Sequence, residues 1–311
     1  MPPKKKSQKT SVFERLHDLY EQDKIPGGVV TSGQVIQAIT NSETGLSIAN
    51  PANFVKDVIR SKNANEIWPE SLKQKRVSAR QRYGETRVFQ FVPYAVGQDL
   101  PFPDRFVPSE KTNLYEVQSA SIPFAARRLG RKEETWLTQI AVNLRLIESQ
   151  LSIFSPQLRG RVRDITHLQM GMKTAPEIDA VFLATFGETD KLKSATDLHM
   201  LISCEAKQMG QRILEDQIRE QVAVAMEITS KLKVPDIEAI KPIAIKVVEH
   251  EFPEGKERAI YIVEFKHIGR TEYATQWANS ATEEERLYTM PLVSVSDTIY
   301  RVMPPVSGLN A

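Results

Sequence analysis

Two apolar runs close together limit what this chain can fold into more than any other feature. One reads EIDAVFLATFG (177–187) and the other LHMLISCEAK (198–207). Neither alternates polar and apolar residues as a half-exposed strand does. Both are therefore predicted as strands buried on two faces, in a sheet covered by helices. Each run also carries an acid near one end, Asp179 in the first and Glu205 in the second, and the second closes on Lys207. A carboxylate beside a core is costly to desolvate unless it is paired or binds a metal. Glu205 and Lys207 lie two apart on one strand and so share a face. Ala206 points the other way, with a backbone carbonyl that could add a ligand. Cys204 on that opposite face reads as a small core residue.

The flanking patterns extend the picture. RKEETWLTQIAVNLRLIESQLSIF (131–154) places Trp136, Ile140, Leu144, Ile147 and Leu151 at helical spacing and predicts one long helix. RDITHLQMGMK predicts a strand before the first apolar run. GQRILEDQIREQVAVAMEI predicts an amphipathic helix after the second, and IKPIAIKVVEHE and RAIYIVEFKHI predict two further strands. Helix, three strands, helix, two strands is the order of an α/β (α+β) layer domain with a mixed sheet.

The N-terminal third differs. SVFERLHDLYEQ sets Val12, Leu16 and Leu19 on one helical face, and TSGQVIQAI opens on Thr31 or Ser32 as a cap. NPANFVKDVIRS offers Asn50 as cap and Pro51 at the first helical position. RVSARQRYGETRVFQFVPY then reads as a hairpin turning at YGET. Three short helices followed by a basic hairpin resemble a winged helix-turn-helix. Lys56, Arg60, Arg80, Arg82 and Arg87 are its candidate DNA contacts. YAVGQDLPFPDRFVPSEKT, with three prolines and no helical period, reads as a connection. The expected division is a basic disordered arm (1–10), a winged-helix-like recognition domain (11–95), a linker (96–114) and a second domain (115–311).

In the second domain, PEIDAVF followed by ISCEAK, flanked by helices in this order, resembles the PD-(D/E)XK nuclease superfamily. The resemblance spans roughly 127–267. The aspartate of its first half-motif matches Asp179, and the acid and lysine of its second match Glu205 and Lys207. Glu-Ile-Asp follows Pro176 where the family pattern has Pro-Asp. The family's helix acid matches Glu134 in GRKEETWL, through Gly130, Glu134 and Leu137, with Glu133 as its rival. A helix glutamine after the lysine would be Gln217 or Gln221. By this resemblance Asp179 and Glu205 bind Mg²⁺, Lys207 positions the attacking water, and Glu134 supports the metal shell. The chemistry suits the residues, because Mg²⁺ takes hard oxygen ligands and usually few protein carboxylates. The spacing from Asp179 to Glu205 is long for the family, so GETDKLKSATD must form a loop, where Lys191 and Lys193 could meet DNA.

A second Glu-x-Lys, Glu264 with Lys266, ends another apolar strand and competes, with Glu249 or Glu251 as its partner acid. The third, Glu254 with Lys256, lies in a turn-like stretch. His167 and His199 read as structural histidines, Trp68, Trp136 and Trp277 as packing residues, and ATEEERLY as a solvated helix face. The single cysteine excludes an intrachain disulfide and a thiolate cluster, and the five histidines show no metal-ligand spacing. No apolar stretch approaches a membrane span. A net charge of +2 makes any nucleic-acid surface a matter of local segregation. The combination of a winged-helix-like reader with a PD-(D/E)XK-like domain most resembles a type II restriction endonuclease, and that resemblance implies a site-specific endodeoxyribonuclease. It would cut double-stranded DNA with Mg²⁺, as a homodimer, in a prokaryotic cytosol. Other expectations are a nuclease of repair, recombination or transposition on the same fold, or a non-catalytic winged-helix regulator.

Overall fold

The computed structural model describes residues 7–42, 44–82, 86–174, 176–187, 198–232, 236–277 and 289–309. The chain divides into two units, Met1–Arg105 with Gly210–Arg212, and Phe106–Met209 with Ile213–Ala311. The division falls inside the proline-bearing stretch read as a linker.

The first unit runs α1 (Gln8–Glu21), β1 (Val29–Thr31), α2 (Ser32–Asn41), α3 (Asn53–Ile59), α4 (Ala64–Ile67), α5 (Glu70–Gln74), β2 (Val77–Gln81) and β3 (Arg87–Pro93). The hairpin β2–β3 is antiparallel, and β1 adds to the outer side of β3 to give the order β1-β3-β2. An aromatic core holds helices and sheet together. Phe13 of α1 lies 4.9 Å from Phe54, 4.7 Å from Trp68 and 5.8 Å from Phe89, centroid to centroid. The Trp68 indole N–H donates to Val77 O at 2.8 Å, so the one polar atom of this buried ring is satisfied by the sheet.

Local chemistry sets several boundaries in this unit. Thr31 caps α2 in a reciprocal box: its hydroxyl accepts from Gln34 N, and Gln34 Oε1 accepts from Thr31 N at 2.8 Å. The structure departs from the sequence reading at α3, which starts at Asn53 rather than beside Pro51. Asn50 and Pro51 instead accept turn bonds from Asn53 N and Phe54 N through their carbonyls. Helix α1 reaches back to Gln8 under a Ser7 cap, so the last residues of the expected disordered arm are helical, while 1–6 lie outside the described residues.

The second unit runs β4 (Asn113–Gln118), α6 (Phe124–Leu129), α7 (Glu134–Asn143), α8 (Leu146–Ser149), a π-helical turn (Gln150–Phe154), β5 (Val162–Met172), β6 (Ile178–Phe186), β7 (Leu198–Lys207), α9 (Glu215–Lys231), β8 (Ile237–Phe252), β9 (Gly255–Phe265), β10 (Ile268–Gly269), α10 (Arg270–Gln276) and β11 (Ser294–Met303). Its sheet has the order β4-β11-β9-β8-β7-β6-β5, with β10 beside β8. The pairs β7/β8 and β4/β11 are parallel and the rest antiparallel, so the expected mixed sheet and α+β class are those of the protein. Parallel neighbours need a crossover, and α9 supplies it between β7 and β8.

Alternate residues of the sheet face two helical layers. Ile202, Cys204 and Ala206 of β7 pack with Leu137, Ile140 and Ile147 of α7 and α8. Leu201 of the same strand packs with Val222 and Met226 of α9. Strand β7 is buried along nearly its whole length, as its continuous apolar run requires.

Two expectations change in this unit. The long helix of 131–154 is three pieces, because Arg145 adopts a left-handed φ of 52° between α7 and α8 and a π turn follows. Strands β4 and β11, not anticipated, widen the sheet. Among the described residues no helix is long and apolar enough to cross a membrane.

Removing the α2 cap is a local test of this account. Thr31→Ala is expected to lower unfolding free energy by about 1 kcal/mol, measured by urea titration. Thr31→Ser should retain most of the stability.

Candidate functional site

The antiparallel ladder of β6 and β7 ends at the pair Ala180 and Cys204. Asp179 and Glu205 are the next residue outward on each strand. Beyond the last pair, the Asp179 carboxylate accepts the Ala206 N–H at 2.7 Å, so a side chain takes over where the backbone ladder stops. Glu205, fully buried, forms an ion pair with Lys207 through Oε1. The Lys207 ammonium, 1% exposed, also donates to Ala206 O at 2.8 Å.

Two helices complete the cluster. From α7, Glu134 Oε1 lies 3.5 Å from Lys207 Nζ. From α9, Gln221 Nε2 donates to Glu205 Oε2 at 2.5 Å and to Glu177 O at 2.8 Å. Gln221 Oε1 is buried and has no donor among the described residues.

The structure therefore brings Asp179, Glu205, Lys207 and Glu134 together. It also resolves two choices the sequence left open. Glu133 is the N-cap residue of α7; its exposed side chain stands 3.9 Å from Arg131, and its carbonyl accepts Gln208 Nε2 at 2.8 Å. Glu134 is the acid that faces the lysine. Gln221, not Gln217, is the glutamine on Glu205, four residues further along the buried side of α9. The Glu177 carbonyl, which orients Gln221, had no signal in the sequence, because a backbone acceptor leaves none.

Electrostatics at the site are unbalanced: three carboxylates surround one ammonium. Burial, with Glu205 close by, pushes Asp179 up to about 7, against the pull of Lys207 and the Ala206 N–H. Asp179 and Glu205 offer hard oxygens in a region short of positive charge, and Gln221 Oε1 is an unsatisfied acceptor beside them. This donor set fits Mg²⁺ better than a softer ion. Burial also pushes the Cys204 thiol well up, keeping it a protonated core residue.

The competing pair does not assemble. Glu264 is fully buried, but its partner is Lys241 of β8, with Ser155 Oγ donating at 2.7 Å and Ser296 Oγ at 2.5 Å. Lys266 lies past the end of β9 and is exposed. Glu249 and Glu251 stand opposite Arg258 and Lys256, towards the other end of the β8/β9 hairpin.

Of the candidate DNA contacts, Lys56 and Arg60 lie on and just after α3, Arg80 on β2 and Arg87 at the exposed start of β3. Arg82 is the exception. It is buried, with Nε 3.0 Å from Gln90 Oε1, and Gln90 in turn donates to Gly27 O at 2.8 Å, so it braces the hairpin rather than facing solvent. The hairpin tip at Tyr83, Gly84 and Glu85, the loop lysines Lys191 and Lys193, and ATEEERLY lie outside the described residues. His199 Nδ1 pairs with Thr185 Oγ1 at 3.1 Å within the β6/β7 ladder. Trp136 and Trp277 pack in the second unit, as Trp68 does in the first. On α1, donor atoms of His17, Asp18 and Glu21 lie within 4.8 Å of one another, but Glu21 already pairs with Lys75.

No protein-family model, curated protein or solved structure matches this chain.

Two measurements follow from the charges. Folded Asp179 keeps its proton to about 7, whereas the ordinary value is 3.8. Between these values the native state binds more protons than the unfolded one, so this group makes stability fall as pH rises through that window. Asp179→Asn keeps an acceptor for Ala206 and removes the ionisation. In EDTA it is expected to raise Tm at about pH 8 and to change little at about pH 4. The second concerns Lys241→Met, which strands the buried Glu264 and is expected to cost about 3–5 kcal/mol in urea unfolding. Lys241→Met with Glu264→Leu should recover much of that loss.

Proposed function

We propose that this protein is a Mg²⁺-dependent endodeoxyribonuclease of the PD-(D/E)XK kind, acting on double-stranded DNA. The observation that carries the reading is the convergence of Asp179, Glu205 and Lys207 where β6 and β7 stop pairing, with Glu134 from the preceding helix and Gln221 from the following one. Helix α7, the antiparallel strands β5, β6 and β7, the crossover α9 and the parallel β8 follow the order that the motif implies. A buried Glu205–Lys207 pair with the partly buried Asp179 and Glu134 beside it is more than a packing need accounts for, since each added acid raises the electrostatic cost of the cluster.

Bound Mg²⁺, held by Asp179 and Glu205, would supply positive charge at the phosphate and a water of lowered pKa. The chain's own residues do the rest. Lys207, held by Glu205, Glu134 and the Ala206 carbonyl, presents its ammonium where it can orient the attacking water and meet charge growing on the phosphate. Gln221 fixes the second oxygen of Glu205. Asp179 must give up its proton to act as a ligand, which positive charge at the site favours.

The first unit, with helices leading into the basic β2–β3 hairpin, is read as a winged-helix-like recognition module using Lys56, Arg60, Arg80 and Arg87. Recognition of a defined sequence in this way is the restriction-enzyme form of the proposal. A two-fold dimer would then present one site to each strand of a palindrome.

The test is cleavage of long unmodified duplex with Mg²⁺. The wild type is expected to give discrete fragments, with Asp179→Ala and Lys207→Ala slower by about 100-fold or more. Tight DNA binding by the wild type without any cutting would favour a regulator instead.

A further inference from the structure

Immediately before Glu134, residues 127–132 read RRLGRK, four cations in six residues. Arg128, Arg131 and Lys132 are exposed. The chain's net charge is only +2, so this is a local concentration. The counter-charge at Arg131 is weak: Glu133 Oε1 stands 3.9 Å away, with both side chains largely in water.

The segment is nevertheless held firmly. Ser307 N–H donates to Arg127 O at 2.7 Å, and the Trp136 indole N–H donates to Ser307 O at 2.9 Å. A side chain at Gly130 would strike Trp136 and the Ser307 carbonyl. One at Gly308, where φ is +88°, would strike the Arg131 carbonyl. At the far end, Gln208, the residue after Lys207, donates to Glu133 O. Arg127 is half-buried and contacts Ser119 Oγ at 3.4 Å, whereas Arg128 is exposed with its guanidinium 5.3 Å from the Phe124 ring centroid.

Exposed like charges clustered on a firmly held stretch of backbone are the pattern of a polyanion site. Their position decides which polyanion, because two residues after Lys132 the chain supplies Glu134 to the Lys207 ammonium. We infer that Arg128, Arg131 and Lys132 form a phosphate clamp in the second unit, holding the DNA backbone beside the scissile bond. This inference rests on the nuclease reading and adds to it a binding surface separate from the recognition module. Duplex DNA carries a charge about every 1.7 Å of its axis, so a loop of this size can meet several phosphates.

The experiment uses the full chain carrying Asp179→Asn, without divalent ions, and a fluorescent duplex of about 30 base pairs. Affinity is followed from about 50 to 200 mM salt. Each phosphate contact contributes about 0.9 to the log–log salt slope. Arg128→Ala/Arg131→Ala/Lys132→Ala is therefore expected to flatten the slope by up to about 2.7. Equivalently, it should lose up to about 40-fold less affinity than its parent over that salt range. Arg128→Lys/Arg131→Lys should keep the parent slope, and a fall equal to that of the alanine variant would overturn a charge-based clamp.

An unchanged slope in a triple variant whose Tm matches the parent would overturn the clamp while leaving the nuclease reading intact. A parent that binds no duplex, beside a wild type that never cuts, would remove both. Phe124 and Leu129 are also exposed, at 65% and 77%. If Phe124→Ser/Leu129→Ser weakens duplex binding as much as the triple variant does, with no change in slope, the surface is an apolar docking face and the clamp fails.

Discussion

Three carboxylates share one ammonium where β6 and β7 part, and much of the second unit can be understood from that imbalance. Lys207 cannot neutralise Glu205, Glu134 and Asp179 together, so burial forces Asp179 to hold its proton near neutrality. Each contact around the cluster either supports the lysine or spares an acid. Ala206 offers its carbonyl to Lys207 and its N–H to Asp179, and so serves opposite charges with one residue. That double use is possible because the strand pairing ends one step earlier.

Such a site needs a rigid frame, and the sheet supplies it. Strand β7 is paired on both sides, antiparallel to β6 and parallel to β8, and buried on both faces. The parallel partner requires the crossover α9, which brings Gln221 onto Glu205. The opposite layer brings α7, whose first residue is Glu134. The same topology that closes the core thus delivers one side chain from each helical layer to a cluster at the end of the strands. Binding sites commonly hold such locally unfavourable arrangements, offset by stability elsewhere.

How much of this the sequence displayed depends on whether the deciding forces were local. The strands of Asp179, Glu205 and Lys207 were readable because a strand buried on two faces leaves a continuous apolar run. The cap of α2 was readable only as Thr31 or Ser32, because both side chains can cap, and the box with Gln34 decides for Thr31. The break of the long helix at Arg145 was not, since the apolar spacing continues through it and the left-handed residue is not glycine. Strand β4 escaped notice because it is an edge strand, largely exposed, with no apolar face to reveal it. Arg82 looked like its neighbours on the hairpin, and only the fold carries Gln90 across to it. The choice between Glu133 and Glu134 was likewise a matter of helix phase, which a boundary uncertain by one residue cannot fix.

The two buried Glu–Lys pairs differ in how their charges are balanced. Around Glu264 the charges balance one to one. Lys241 balances its charge, and two serine hydroxyls, Ser155 and Ser296, complete its acceptors. Lys241 itself is shifted down by burial, as expected of a cation with one counter-ion and little water. Glu264 is the lysine's one counter-ion among the described residues, and through Ser155 the pair ties the end of the π-helical turn to the sheet. Around Glu205 the charges do not balance: two further acids stand by, Asp179 is pushed up to about 7, and Gln221 has an orphaned amide oxygen. In sequence both sites present the same Glu-x-Lys at the end of an apolar strand. The difference lies in the surplus of negative charge gathered from other elements, and a surplus held in a buried place is what a cation and a phosphate together would relieve.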